Sequence, residues 1–512
     1  MLFSYGVLAS FVAITIGAYI LSTNRRSSSR SLRRLPLLNR KKATDVFGYR
    51  QKLNFLVTAK ELIAEGFRQS PGGFRLITSY GEDVVLPPQF ADELRRDPRL
   101  DAMKAAELEF LVHVPTLRPL SGGTVSEQIL LSTITKITHA LGDLAQPLSE
   151  ELNLALEHKW TSLPTKDWHP VLLGPSLSRM VTQAASRIFV GPELCRDSRW
   201  IDAMSSFSAL ALESLTILKF FPRVLHRPLE LLLPSCRKAR SHSRAARALL
   251  EPILADAKQD AETRRSAGTL QETKVGTTWL EEAAAGRYYD PLEAQLTLNF
   301  SASHTTADFI ATVLLRLCEM PDLVTALRRE IIDTVGKGGM SKENILNLKL
   351  MDSVMKETHR MSPTLLATMS RYVTDDMTLT TGLHLPAGTR VWVANTATHD
   401  PEVYPNPTSF DSRRYLKMRE GLADSGKENL AQWVATDAHN LAFGHGVQAC
   451  PGRYLANYIV KIFLCHVLLK YDFKLASDQD VQRVHFGFIV VNDPTTRILI
   501  RRRETSALGE KV

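Results

Sequence analysis

This 512-residue sequence predicts a mainly α-helical protein with small, segregated β-sheets, an α+β arrangement, set behind an N-terminal transmembrane helix. Three observations predict it. Residues Leu2 to Leu21 carry no charge. Long stretches of helical periodicity fill most of the remaining chain. β signals are confined to two short regions, Phe74 to Leu86 early and Arg371 to Val393 late. A parallel α/β fold would instead alternate strands and helices throughout.

The apolar segment comes first in the chain. Twenty helical residues at 1.5 Å each span about 30 Å, the thickness of a bilayer's hydrocarbon core. A cleaved signal would want its positive charge before the apolar run. Here Arg25, Arg26, Arg30, Arg33, Arg34, Arg40, Lys41 and Lys42 all follow it, which by the positive-inside rule keeps the rest of the chain on the cytosolic side. The expected organisation is an anchor over 2–21, a basic linker over 22–45 and one domain over 46–505.

Composition narrows the function classes. With 44% hydrophobic and 23% charged residues the chain is an ordinary folded protein. The formal charge of +9 is concentrated behind the apolar segment, and no aromatic and basic residues interleave as nucleic-acid binding would require. The five cysteines, Cys195, Cys236, Cys318, Cys450 and Cys465, are odd in number and form no CxxC pair, which excludes a disulfide framework and a structural zinc site and fits a reduced compartment.

Within the body, the polar run from Lys258 to Thr278 reads as a flexible connector. The longest helix starts at Asp290, with Asp as cap, Pro291 at the first helical position and Glu293 placed for a capping box. It can run to Met320 and Pro321, about 28 residues or about 42 Å.

The segment Phe443, Gly444, His445, Gly446, Val447, Gln448, Ala449, Cys450, Pro451, Gly452, Arg453 carries the strongest chemical signal. A glycine-bearing loop delivers a cysteine to the mouth of an apolar helix that continues to Tyr471 without Gly or Pro. With Pro451 at the first helical position, Cys450 occupies the cap, where free backbone N–H groups favour a thiolate able to ligate a metal. The glycines allow tight turns and close approach to a flat cofactor. A lone cysteine would more often be a small buried hydrophobe; the surrounding pattern argues otherwise. It resembles the haem-binding loop FxxGxxxCxG of the cytochrome P-450 family, with Phe443, Gly446, Cys450 and Gly452 in register.

Further elements match that resemblance in order. ExxR occurs at Glu65/Arg68, Glu93/Arg96, Glu193/Arg196, Glu262/Arg265 and Glu357/Arg360, but only the last lies between the long helix and the cysteine loop. Spacing of three puts Glu357 and Arg360 on one helix face, and the resemblance supplies Arg414, in Phe410 to Tyr415, as their third member. The mid-helix patch Ser301, Ala302, Ser303, His304, Thr305, Thr306 resembles the family's oxygen-binding groove, with Thr305 as the hydroxyl that guides protons. Alternatively Thr305 merely bonds back to a helix carbonyl. Two departures stand out. His304 replaces the usual Asp or Glu, where a histidine can substitute, and Gln448 replaces the usual Arg or His toward a haem propionate. Arg371 and Lys136 are other sources of positive charge.

The resemblance implies a cytochrome P-450 fold, thiolate-ligated haem b with Cys450 as axial ligand, and insertion of one atom of O2 into a C–H or C=C bond. Electrons would come from NADPH-cytochrome P-450 reductase, at the endoplasmic reticulum membrane. Phe300, Ser301, Leu366, Ala367, Phe486 and Phe488 are candidate lining residues of an apolar pocket. Leu469 to Leu475, the triplet His304, Thr305, Thr306 and Gly191 to Arg196 look like fungal members acting on terpenoids in secondary metabolism. The alternatives are a haem-thiolate isomerase or dehydratase, and a non-catalytic haem sensor. The sequon at Asn299 falls in the long helix and is expected to stay unmodified.

Overall fold

The computed structural model describes residues 31–41, 45, 48–160, 167–267, 275–336, 338–476 and 481–504, so the expected anchor over 2–21 lies outside the described residues. Helices dominate, and strands gather in small sheets. Among the described residues one helix, Ser198–Leu218, is long and apolar enough to cross a membrane, yet half of it is buried inside the protein. Trp200, Met204, Phe207, Ala211 and Leu215 face the main core.

The central helix, Pro291–Cys318, has the predicted length and start. Asp290 caps it, its carboxylate accepting from the N–H groups of Leu292 and Glu293. The expected capping box does not form. Glu293 instead accepts from the Thr124 N–H at 2.7 Å, and the Asp290 N–H goes to the Thr124 hydroxyl. A tertiary partner has outcompeted the local one. The helix runs through the main apolar core and packs against Leu173–Phe189, Lys349–Met361 and the last helix, Arg453–Lys470. Asn299 is buried and donates to the Gln295 carbonyl.

The largest sheet has six strands in the order Leu37–Leu38, Phe74–Thr78, Gly81–Leu86, Arg390–Ala394, Ala367–Val373, Leu100–Asp101. The early β signal is the hairpin Phe74–Leu86, and the late one splits into four short strands. Two expectations need correction. Leu37–Leu38 pairs in parallel with the hairpin and Leu32 is buried, so the folded body begins before residue 45 and takes in part of the expected linker. The helix Pro234–Ala267 runs into the expected connector, because residues 258–267 hold good helix formers and neither Gly nor Pro.

Between Thr368 and Arg371 the pairing of the Ala367–Val373 strand shifts register, and Met369 adopts φ +50°. Such bulges redirect side chains. Arg371, at the far side of the shift, is buried.

Candidate active site

The cysteine loop folds back on itself, with the Cys450 N–H donating to the Phe443 carbonyl at 2.8 Å. Gly446 sits at φ +83°, and a Cβ there would lie 2.3 Å from the Arg95 Cβ. No side chain fits. The following helix begins at Arg453 with Gly452 as cap, two residues later than the expected cap at Cys450, because Pro451 and Gly452 form a turn. The electrostatic consequence persists, since the backbone N–H groups of Gly452 and Arg453 still point at the sulfur. Burial nevertheless dominates and raises the thiol pKa, with those donors and the Arg453 guanidinium opposing it. Burial and the helix-end donors thus act on the sulfur in opposite directions, and a bound metal would itself favour the thiolate. Cys450 is exposed even though protein crowds it closely enough to desolvate it; its exposure is to a cleft inside the molecule.

Glu357 and Arg360 lie on Lys349–Met361, a helix buried along most of its length. Arg360 grips Glu357 with two hydrogen bonds of 2.8 Å, and the Arg414 Nε adds contacts of 3.1 Å to both carboxylate oxygens. Arg360 also donates to the carbonyls of Thr398 and Pro407, and Arg414 to that of Pro405. The three side chains pin residues 398–414, the approach to the cysteine loop, onto the helix.

On the central helix, Ser301 and Thr305 are exposed while Ser303, Thr306 and Ala307 are buried. One stripe of an interior helix thus faces open space. Thr305 Oγ1 donates to the Ser301 carbonyl at 3.0 Å, which leaves its lone pairs toward the cleft. One turn on, Phe309 stacks on Trp433 with ring centroids 4.5 Å apart, and Trp433 meets the Phe443 ring at 4.9 Å. Trp433 Nε1 donates to His359 Nδ1 at 3.1 Å, and burial drives the His359 pKa down to about 3. Two ring contacts thus join the Thr305 helix to the Cys450 loop. Sequence reasoning missed this bridge, because its aromatic residues come from three distant segments.

Arg371 is buried with one Nη donating to the Ser370 carbonyl, while its other Nη has no partner among the described residues. Burial lowers its pKa to about 10, with Asp101 acting the other way. Gln448 is exposed and donates weakly to the Leu100 carbonyl at 3.3 Å. Lys136 does not join the site; it pairs with Glu282 at the surface.

The expected pocket residues divide. Phe300 meets Phe110 edge-on at 5.9 Å, beside exposed Ser301. Phe486 is exposed, and Leu366 is partly buried. Ala367 and Phe488 are corrections. Ala367 has no exposed surface, and Phe488 packs edge-on against Phe55 at 5.0 Å, both within a satellite apolar cluster. The hairpin turn that carries Phe488 folds inward onto that cluster.

Against this geometry, a model of the cytochrome P-450 family matches residues 169–500. This chain belongs to the cytochrome P-450 family. It is 35% identical over 481 residues to the cytochrome P-450 monooxygenase cdmJ of Talaromyces verruculosus, covering 94% of this chain and 92% of that one. It is 35% identical over 479 residues to the cytochrome P-450 monooxygenase ntnM of Nectria sp., covering 92% and 89%. It is 36% identical over 464 residues to the cytochrome P-450 monooxygenase trt6 of Aspergillus terreus, covering 89% and 93%. The protein is accordingly a haem-thiolate monooxygenase. Its residues fit that cofactor: a thiol with two backbone donors at the edge of a cleft, and a buried guanidinium with one Nη unpartnered among the described residues.

Proposed function

We propose that this cytochrome P-450 hydroxylates or epoxidises a lipophilic small molecule, a terpenoid or meroterpenoid intermediate of fungal secondary metabolism. Cys450 would hold the iron of haem b through its sulfur, and residues 2–21 would anchor the domain to the endoplasmic reticulum membrane with the site facing the cytosol. The supporting observation is that Cys450 and the Ser301–Thr305 stripe are both open to space inside an otherwise buried body.

Bound haem supplies the iron at which dioxygen is reduced, with the thiolate pushing electron density toward it. Overall, substrate, O2, two electrons and two protons give the oxygenated product and water. Thr305 Oγ1, whose own proton goes to the Ser301 carbonyl, would accept from a proton donor in the cleft, and His304 lies beside it. Arg371 neutralises a haem carboxylate; its desolvated, half-partnered guanidinium suits that group. Gln448 adds a neutral contact. Phe443 and Gly446 shape the loop under the ring, Gly452 leaves the approach open, and Glu357, Arg360 and Arg414 keep that scaffold rigid. The apolar wall of Phe300, with Phe486 and Leu366 nearer the surface, suits a lipophilic substrate.

Electrons come from NADPH-cytochrome P-450 reductase. Exposed Val447 and Tyr454, with Arg453 bonded to the Cys450 carbonyl, offer an apolar and basic surface to an acidic partner.

The test is the carbon-monoxide difference spectrum of the reduced protein beside Cys450→Ser. The parent should show the Soret band of a thiolate-ligated haem and the variant should lose it. With reductase, NADPH and a terpenoid panel, the parent should then yield a product heavier by one oxygen atom.

A further inference from the structure

His304 precedes Thr305 on the cleft-lining turn, and among the described residues its Nε2, like the neighbouring Ser303 hydroxyl, is buried with no hydrogen-bond partner. Its nearest ring neighbour is Phe300, centroid to centroid 6.2 Å, and Phe300 in turn meets Phe110. Beside Phe110, Leu111 adopts φ +51°, a conformation a leucine rarely takes without being held there. Burial pushes the His304 pKa down, and no charged neighbour contributes. Asp308, one turn on, is already committed to the backbone and side chain of Asn492. A neutral imidazole with an unmet nitrogen therefore stands in an apolar wall, an arrangement that is costly unless a partner arrives.

We infer that His304 recognises a hydroxyl or carbonyl oxygen already present on the substrate. This rests on the terpenoid reading above and sharpens it: the substrate is an oxygenated skeleton rather than a bare hydrocarbon, so an earlier reaction must have placed an oxygen atom on it. Neutral imidazole can donate to a carbonyl or accept from a hydroxyl, and the Phe300 and Phe110 rings on its flank offer neither. Thr305 cannot take this role with its proton, which goes to the Ser301 carbonyl.

The experiment compares matched terpene pairs of monoterpene, sesquiterpene and diterpene size, each a hydrocarbon and its alcohol or ketone. Binding to the full-length holoenzyme is read from the substrate-induced Soret shift. The parent should bind oxygenated members at least about tenfold more tightly, the factor that about 1.4 kcal/mol provides. His304→Phe should erase that preference, and His304→Gln should restore part of it. An unchanged carbon-monoxide band certifies each variant as folded and loaded. A preference that survives in His304→Phe overturns the inference and leaves the terpenoid reading intact, as does a variant that only releases more peroxide with both members of a pair. Failure of every pair to bind the parent overturns the terpenoid reading and this inference with it.

Discussion

Glu357→Gln replaces one carboxylate oxygen by an amide nitrogen at the point where two guanidinium groups converge. Glu357 accepts from Arg360 at 2.8 Å twice, from Arg414 at 3.1 Å, and from the Asp411 N–H at 3.1 Å. A glutamine can keep its oxygen toward only one side, so at least two charge-assisted bonds are lost, each worth about 1.5–3 kcal/mol. The sum, about 3–6 kcal/mol, agrees with the about 3–5 kcal/mol cost of removing one partner from a buried ion pair. Arg360 and Glu357 are both essentially without solvent contact, so water cannot make up the loss. Against a total stability of about 5–15 kcal/mol this is a large fraction. The assay is urea denaturation followed by haem absorbance, together with haem bound per chain. Glu357→Gln should lower both markedly. Glu65→Gln is the control, because Glu65 and Arg68 share the same spacing on an exposed helix surface and the midpoint should not move. An unchanged midpoint and haem content in Glu357→Gln would refute the claim that this cluster braces the cysteine loop.

Gly446→Ala should abolish haem incorporation, since its Cβ would meet Arg95 at 2.3 Å and 2.6 Å with φ at +83°; a normal carbon-monoxide band in the variant would contradict the loop geometry. Arg371→Leu should speed haem transfer to apomyoglobin by about tenfold, the loss of one charge-assisted contact, with the helical circular dichroism unchanged. Thr305→Ala, at an exposed helix position, should fold normally yet divert NADPH to hydrogen peroxide, measured as product and peroxide per NADPH consumed. Burial holds the His466 pKa at about 3 against an ordinary 6.5, with Lys470 adding to the effect. The folded state thus resists a proton that the unfolded chain takes up, so stability is present above about pH 6.5 and declines as pH falls toward 3. The denaturation midpoint should fall over that window, less so in His466→Gln, and a flat profile would contradict it.

The parts of the site that could be read from sequence are those whose function demands a fixed local pattern. The cysteine loop is legible because turn glycines, thiol and helix start must follow one another within a few residues. ExxR is different, since five copies exist and spacing alone cannot rank them. Burial separates them: Arg360 turns to its own Glu357 in the core, whereas Arg196 bonds Glu151 rather than Glu193, and Glu93 bonds Thr380. Order along the chain points to the same copy that burial does, because it stands in for that burial. Illegible features depend on partners far apart in sequence. The Met369 bulge before buried Arg371, the Phe309–Trp433–Phe443 bridge and the buried Lys461–Asp352 pair at 2.7 Å have no local signature. The same contrast holds at Cys450: helix-end donors are local and visible, while desolvation comes from the whole fold. For His304 the direction reverses. Its identity was visible as a departure, but only its unmet nitrogen in the folded cleft turns the departure into a claim about what the substrate must carry.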